Sequence, residues 1–310
     1  MKYCFGVDVG GTTVKMGLFQ ADGLLLDKWE IKTRTENEGV AILPDIAKSM
    51  EDKILEKGLD KSDFVGIGMG VPAPVTKEGI VYATANLGWG YKEVKRELEE
   101  LTGIESHIGN DANVAALGEM FQGAGKGYKN LIMVTLGTGV GGGIIVDEQI
   151  LVGTHGAGAE IGHITVNYDE EEHCGCGRHG CLEMYSSATG IVRLAKRRLA
   201  NNQDETVLNA DSVTAKDVFD AVKEGDKVAI EIAEQFGTYL GYALSNLAVV
   251  TDPEIIVIGG GVSKAGEILL EFIEKPYKEK MFFANQFVKF VLAELGNDAG
   301  IYGAAKLALN

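Results

Sequence analysis

Three thiols fall within eight positions in the run Cys174-Gly175-Cys176-Gly177-Arg178-His179-Gly180-Cys181, and Leu182-Glu183 follows. Sulfurs this close, with glycines that let the backbone fold around them, suit a tetrahedral Zn²⁺ site. His163, His173 or His179 would supply the fourth ligand. One histidine closes the coordination sphere, so such a zinc would be structural rather than catalytic. The fourth cysteine, Cys4, lies in the first apolar run and reads as a small buried hydrophobe. Bunched cysteines in a chain without an export signal favour metal ligation over disulfides.

A second group of residues suits phosphates. Asp8-Val9-Gly10-Gly11-Thr12-Thr13 puts a Gly/Thr turn between two strand-like runs, where backbone N–H groups can form a nest for phosphate oxygens. Asp8, at the end of its strand, could hold Mg²⁺ directly or through water. Leu136-Gly137-Thr138-Gly139 repeats the turn more than a hundred residues later. Two such turns could grip a triphosphate from both sides. A third cluster, Gly259-Gly260-Gly261, follows an apolar run and suits close approach of a flat base and ribose to backbone. Neither Gly-Lys-Ser nor Gly-Lys-Thr occurs, so the P-loop class is excluded.

The third group centres on Asn110-Asp111. An Asp at a helix start commonly serves as an N-cap. The helix N-terminus also favours the carboxylate form, which leaves Asp111 able to accept a proton. Phosphoryl transfer needs such a group to take the hydroxyl proton, while positioning and electrostatics do most of the work. Asn86, Glu160, His163 and Glu183 are further polar residues that could read sugar hydroxyls, set beside the glycine turns and the cysteine loop.

The elements that must hold these groups follow from periodicity and turn signals. Strands are expected over 3–9, 14–19, 24–31, 64–71 and 104–109, with helices over 39–57 and 91–102 and a third from Asn110-Asp111 to about 121. The opening pattern of strand, Gly/Thr turn, strand, polar turn, strand then recurs over 131–136, 140–146 and 149–152, which points to an internal duplication. Beyond the cysteine loop the chain turns mainly helical, over 186–200, 215–224 and 226–249. A strand over 254–258, a helix over 266–278, a strand over 288–293 and a helix over 300–309 complete it. Strands alternating with helices indicate an α/β fold.

Bulk composition narrows the classes. A chain of 310 residues exceeds one typical domain, and 42 glycines against 5 prolines cluster after apolar runs rather than in a linker. The formal net charge of −16 argues against non-specific nucleic-acid binding and against an anionic membrane surface. No signal peptide and no transmembrane-length apolar run are visible, so a cytoplasmic location is expected.

The motifs Asp8-Val9-Gly10-Gly11-Thr12-Thr13-Val14-Lys15, Glu160-Ile161-Gly162-His163 and the Cys174 to Glu183 run, in this order, resemble the ROK family of repressors and sugar kinases. Within it they resemble the bacterial glucokinases. The resemblance implies an actin-like ATPase (ribonuclease H-like) fold: two related α/β domains with a cleft between them, expected as 1–115 with 299–310, and 116–298. It implies ATP-dependent phosphorylation of a hexose, with glucose ahead of mannose, fructose or N-acetylmannosamine. Asp111 would be the base, and Asn86, Asn110, Asp111, Glu160, His163 and Glu183 would contact the sugar. His163, Cys174, Cys176 and Cys181 would hold structural Zn²⁺, with the second ring nitrogen of His163 on a sugar hydroxyl. ATP with Mg²⁺ would lie against Asp8, Gly10, Gly11, Thr12, Thr13, Thr138 and Gly139, and its nucleoside near Gly260 and Gly261. Family members are often homodimers or homotetramers. One departure stands out: Ala73 in Gly70-Val71-Pro72-Ala73 replaces the usual glycine, and would be strained if that position needs positive φ.

A non-enzymatic, sugar-sensing regulator is the rival reading. Family repressors carry a helix-turn-helix domain ahead of the sugar domain, whereas the first strand here begins almost at Met1, and the acidic balance opposes DNA binding. An actin-like ATPase without a sugar substrate is a further rival, and the cysteine loop speaks against it.

Overall fold

The computed structural model describes residues 1–84, 86–200 and 204–309. Its contacts divide the chain into two compact units, Met1–Gly127 with Gly143–Ala159 and Glu294–Asn310, and Tyr128–Gly142 with Glu160–Ala293.

The first part of the chain runs β1 (Tyr3–Val9), β2 (Thr13–Gln20), β3 (Leu25–Lys32), α1 (Ile42–Lys57), β4 (Phe64–Val71), β5 (Ile80–Val81), β6 (Lys92–Glu93), α2 (Val94–Thr102), β7 (Ser106–Asn110) and α3 (Asp111–Gln122). Five of these strands form a sheet of order β3-β2-β1-β4-β7. Strands β1 to β3 are an antiparallel meander, and β4 and β7 join parallel to β1. Alternation along β1 separates two cores. Phe5, Val7 and Val9 pack with Ile42, Leu43, Ile46 and Met50 of α1. Cys4 turns the other way and packs with Phe19, Ile301, Ala305 and Ala308, as its reading as a buried hydrophobe anticipated. Burial pushes the Cys4 thiol up to about 12, so it stays protonated.

The chain continues through β8 (Leu131–Leu136), β9 (Val140–Val146), β10 (Gln149–Ile150), α4 (Glu183–Ser186), α5 (Ala188–Leu199), α6 (Ala215–Lys223), α7 (Lys227–Thr251), β11 (Ile255–Gly259), α8 (Ile268–Lys280), β12 (Lys289–Leu292) and α9 (Ala299–Ala308). The second sheet has the order β10-β9-β8-β11-β12. Here too the central strand is followed by an antiparallel hairpin and then by two parallel additions. The two orders match strand for strand, so the duplication legible in the Gly/Thr turns extends to whole sheets. Two α/β units of this topology constitute the actin-like ATPase fold.

Helix α9 meets the first sheet and α3 through backbone as well as through side chains. A methyl group added at Gly68 would fall 1.7 Å from the Ala304 carbonyl oxygen, and one at Gly303 would fall 1.7 Å from that of Val114. Only glycine admits so close an approach. This is why α3, which packs on α9, stays with the first unit, whereas the sequence set the division at 115/116. Two helix starts also move by three residues. Lys92–Glu93 pairs with Ile80–Val81 as a small ribbon, so the helix expected from 91 starts at Val94. Gly39 has φ +65° in a tight turn, so the helix expected from 39 starts at Ile42.

Candidate functional site

In the first unit the Gly10 N–H donates to the Thr13 carbonyl at 3.0 Å and closes the turn between β1 and β2. Thr33 braces that turn: its hydroxyl donates to the Gly10 carbonyl at 2.7 Å and its N–H to the Thr12 carbonyl at 2.9 Å. Asp8 precedes the turn, and burial raises its carboxyl above the ordinary aspartate range while the Lys15 cation opposes the shift. A methyl group at Gly11 would lie 3.3 Å from Asn86 Cβ, so the turn and Asn86 are neighbours. The Asn86 loop is fixed from behind by Trp89, whose indole N–H donates to the Gly39 carbonyl at 3.1 Å.

The cap of α3 is Asn110, not Asp111. Asn110 Oδ1 accepts from the N–H groups of Ala112 and Asn113, and its Nδ2 donates to the Ala73 carbonyl at 3.2 Å. Asp111 therefore occupies the first helical position, half-buried, with Oδ1 accepting the Ala112 N–H at 2.8 Å. There the positive end of the helix favours the ionised carboxylate. Ala73 is absent from the residues with positive φ, so its replacement of glycine brings no backbone strain. The strained alanine is Ala159, at φ +64°, one residue before Glu160. Nothing in the sequence signals it, because a left-handed alanine has no composition of its own.

In the second unit, His163, Cys174, Cys176 and Cys181 bring their ligand atoms within 4.8 Å of one another. The Cys176 and Cys181 sulfurs are 3.7 Å apart, and Cys174 Sγ lies 3.9 Å from His163 Nδ1. Bonds of ~2.3 Å to a tetrahedral zinc put sulfur atoms ~3.8 Å apart, so the donor set fits that ion. Of the three histidines open as fourth ligand, the cluster takes His163. His173 and His179 instead pair with each other, ring centroids 4.1 Å apart. Burial pushes the Cys174 and Cys181 thiols up, and Cys174 donates to Glu183 Oε1 at 2.9 Å.

Glu183 also meets the second glycine turn, because a methyl group at Gly139 would lie 2.6 Å from its Oε2. Thr138 is anchored by the Thr189 hydroxyl, which donates to its carbonyl at 2.7 Å. Glu160 is exposed, and its carbonyl accepts the His163 N–H at 3.1 Å, which starts the tight turn carrying that histidine. Gly260 has φ +85° and presses on the backbone of Leu136, the residue before the Gly137 turn. Gly261 opens onto a cavity of about 370 Å³ walled by Thr214, Lys216, Phe219, Val262 and Lys264. These wall residues were missed in the sequence. Thr214 also caps α6 through a capping box with Asp217.

The cysteine loop is carried by a buried ionic network. Glu170, with a side chain 4% exposed, accepts from the Tyr185 hydroxyl at 2.5 Å and from the guanidinium groups of Arg193 and Arg197. It thereby ties the approach to the loop to α4 and α5. The Arg197 guanidinium, seconded by Arg193 and Tyr185, holds the Glu170 carboxyl well below the usual carboxylate range against the opposing effect of burial. Because the folded pKa is depressed, this stabilisation is full above the ordinary value near 4.5 and is lost as pH falls towards the folded one. Glu170→Gln is expected to cost about 2 kcal/mol at pH 7, since it removes a buried charged acceptor while Glu172 still pairs with both guanidinium groups. Urea unfolding of both proteins should show that difference shrinking below about pH 4.5.

Among the described residues, no helix is long and apolar enough to cross a membrane. The ROK family model matches residues 4–310. A glucokinase of Halalkalibacterium halodurans is 43% identical over 99% of this chain and 94% of its own. Among solved structures, a ROK hexokinase from Thermus thermophilus superposes with TM-score 0.84 at 30% identity, covering 98% of this chain and 97% of that one. A ROK family glucokinase from Streptomyces griseus, solved with glucose and AMPPNP, gives TM-score 0.76 at 33% identity over 98% of both chains.

Proposed function

Because the chain belongs to the ROK family, we propose that it is an ATP-dependent glucokinase that converts glucose and ATP to glucose 6-phosphate and ADP. The observation that carries this reading is the full-length likeness to a glucokinase at 43% identity. Asp111 is the base, and takes the proton of the 6-hydroxyl as the γ-phosphoryl group arrives. Asn110 supports this role by capping α3 itself, which spares the Asp111 carboxylate that duty. Asn86, Asn110, Glu160, His163 and Glu183 hold the remaining hydroxyls. With Nδ1 of His163 turned towards the thiols, its Nε2 serves the sugar.

His163, Cys174, Cys176 and Cys181 would hold zinc, which would supply a fixed orientation for the His163 ring and no bond making. As a metal-ligating thiolate Cys174 would have no proton for Glu183, and the Glu183 carboxylate would be available to accept from a sugar hydroxyl. The turns at Gly10-Gly11-Thr12-Thr13 and Thr138-Gly139 offer N–H groups to the phosphates. Asp8 would hold Mg²⁺, which would neutralise phosphate charge. The cavity beside Gly261 takes the nucleoside, with Gly260 allowing the close turn. The protein works in the cytoplasm as a homodimer or homotetramer. Neither DNA nor a membrane is a partner of this acidic chain.

A coupled ADP-release assay across hexoses tests the reading. Glucose should give the highest kcat/KM, ahead of mannose, fructose and N-acetylmannosamine. ADP release that no sugar stimulates would leave an ATPase or a sensor instead.

A further inference from the structure

We infer that the first unit carries a second small-molecule site, beside the free edge of β7, that takes a small hydroxylated phosphate ester. A cavity of about 220 Å³ lies there, lined by residues of that unit alone. One side is 106–110 of β7, the outermost strand of the first sheet. The others come from the loop at 75–79, from Lys95 on α2, and from Gln149, Ile150 and Val152.

Charge is the first indication. The chain has 45 acidic residues against 29 lysines and arginines, yet no carboxylate lines this cavity. Its ionisable residues are Lys77, Lys95 and His107. The nearby acids are outside the lining and each contacts a residue of it. Glu99 lies 3.8 Å from Lys95 Nζ and accepts the Ser106 N–H, Glu105 lies 3.8 Å from His107 Nε2, and Glu78 bonds to Thr76. A concavity lined by one sign of charge concentrates ligands of the other.

Asn113 gives the second, independent indication. It lines the cavity, is 4% exposed, and its Oδ1 has no hydrogen-bond partner among the described residues. A buried acceptor without a donor is costly, and such atoms are rare in folded proteins. A fully deprotonated anion would answer the lysines but has no proton to offer Asn113 Oδ1. A hydroxyl on the same molecule supplies the missing proton. The volume lies below the range of roughly 300–1,000 Å³ for drug-sized ligands, so the ligand is on the scale of glycerol 3-phosphate. Asn110 also lines this cavity, so occupancy would be felt one residue from Asp111. The site itself does not depend on the kinase reading.

Calorimetric titration of the whole protein with glycerol 3-phosphate, without sugar or nucleotide, tests the inference. Saturable one-to-one binding is expected, and it should persist with glucose and ADP at saturation. The Lys77→Ala/Lys95→Ala variant should bind at least about tenfold more weakly, the effect of losing a charged hydrogen bond. Inorganic phosphate and glycerol should each be weaker by a similar factor. Amide NMR shifts should move at 106–110 and at the Asn113 carboxamide, a readout that needs no variant. No saturation at concentrations on the order of 10 mM would overturn the site. So would loss of binding with glucose and ADP, unchanged affinity in a folded double variant, or shifts confined to other residues.

Discussion

Asp111→Asn is expected to lower kcat for glucose phosphorylation by about 10³-fold, inside the range found for removing a general base. Asparagine keeps the shape and the hydrogen bond from the Ala112 N–H, but it cannot take a proton. The α3 cap belongs to Asn110, so the thermal midpoint should hold and the loss should appear in kcat, with KM for ATP little changed. Steady-state kinetics and a melting curve on the same preparation separate these effects. A variant that melts normally yet works at the wild-type rate would remove Asp111 from the chemistry.

The second large effect is expected on removing the metal. Protein purified without chelator should carry one zinc per chain by elemental analysis, and Cys176→Ser should carry none. Cys176 is the exposed ligand of the four, so its replacement disturbs packing least. With the ion gone, the His163 ring loses its anchor and Cys174 remains a thiol bonded to Glu183. KM for glucose should then rise by about 10–100-fold, the usual effect of losing support around a metal site, with KM for ATP nearly constant. Equal zinc content and equal glucose KM in the two proteins would contradict the assignment.

Much of this arrangement is legible in the sequence because it rests on local rules. The Gly/Thr turns after apolar runs locate β1–β2 and β8–β9, and their recurrence anticipates two sheets of matching order. The cysteine spacing alone leads to a metal cluster, but it cannot choose among His163, His173 and His179. That choice depends on how the loop folds, and a hydrogen-bonded bridge and ring contact between the latter two decide it. Asn110 and Asp111 could be located but not told apart, since either can cap a helix and only backbone geometry shows which does. The sequence points to Ala73 for strain, which lies instead at Ala159, because φ is set by packing rather than by residue type. The wall of Thr214, Lys216 and Lys264 beside Gly261 comes from segments about fifty residues apart in the chain. No short-range pattern brings such segments together.

Phosphorus NMR of wild-type protein mixed with ATP, Mg²⁺ and glucose follows both the donor and the product. Growth of the glucose 6-phosphate resonance in step with ADP is the predicted result. ADP accompanied only by inorganic phosphate, or an unchanged ATP spectrum, would contradict the account.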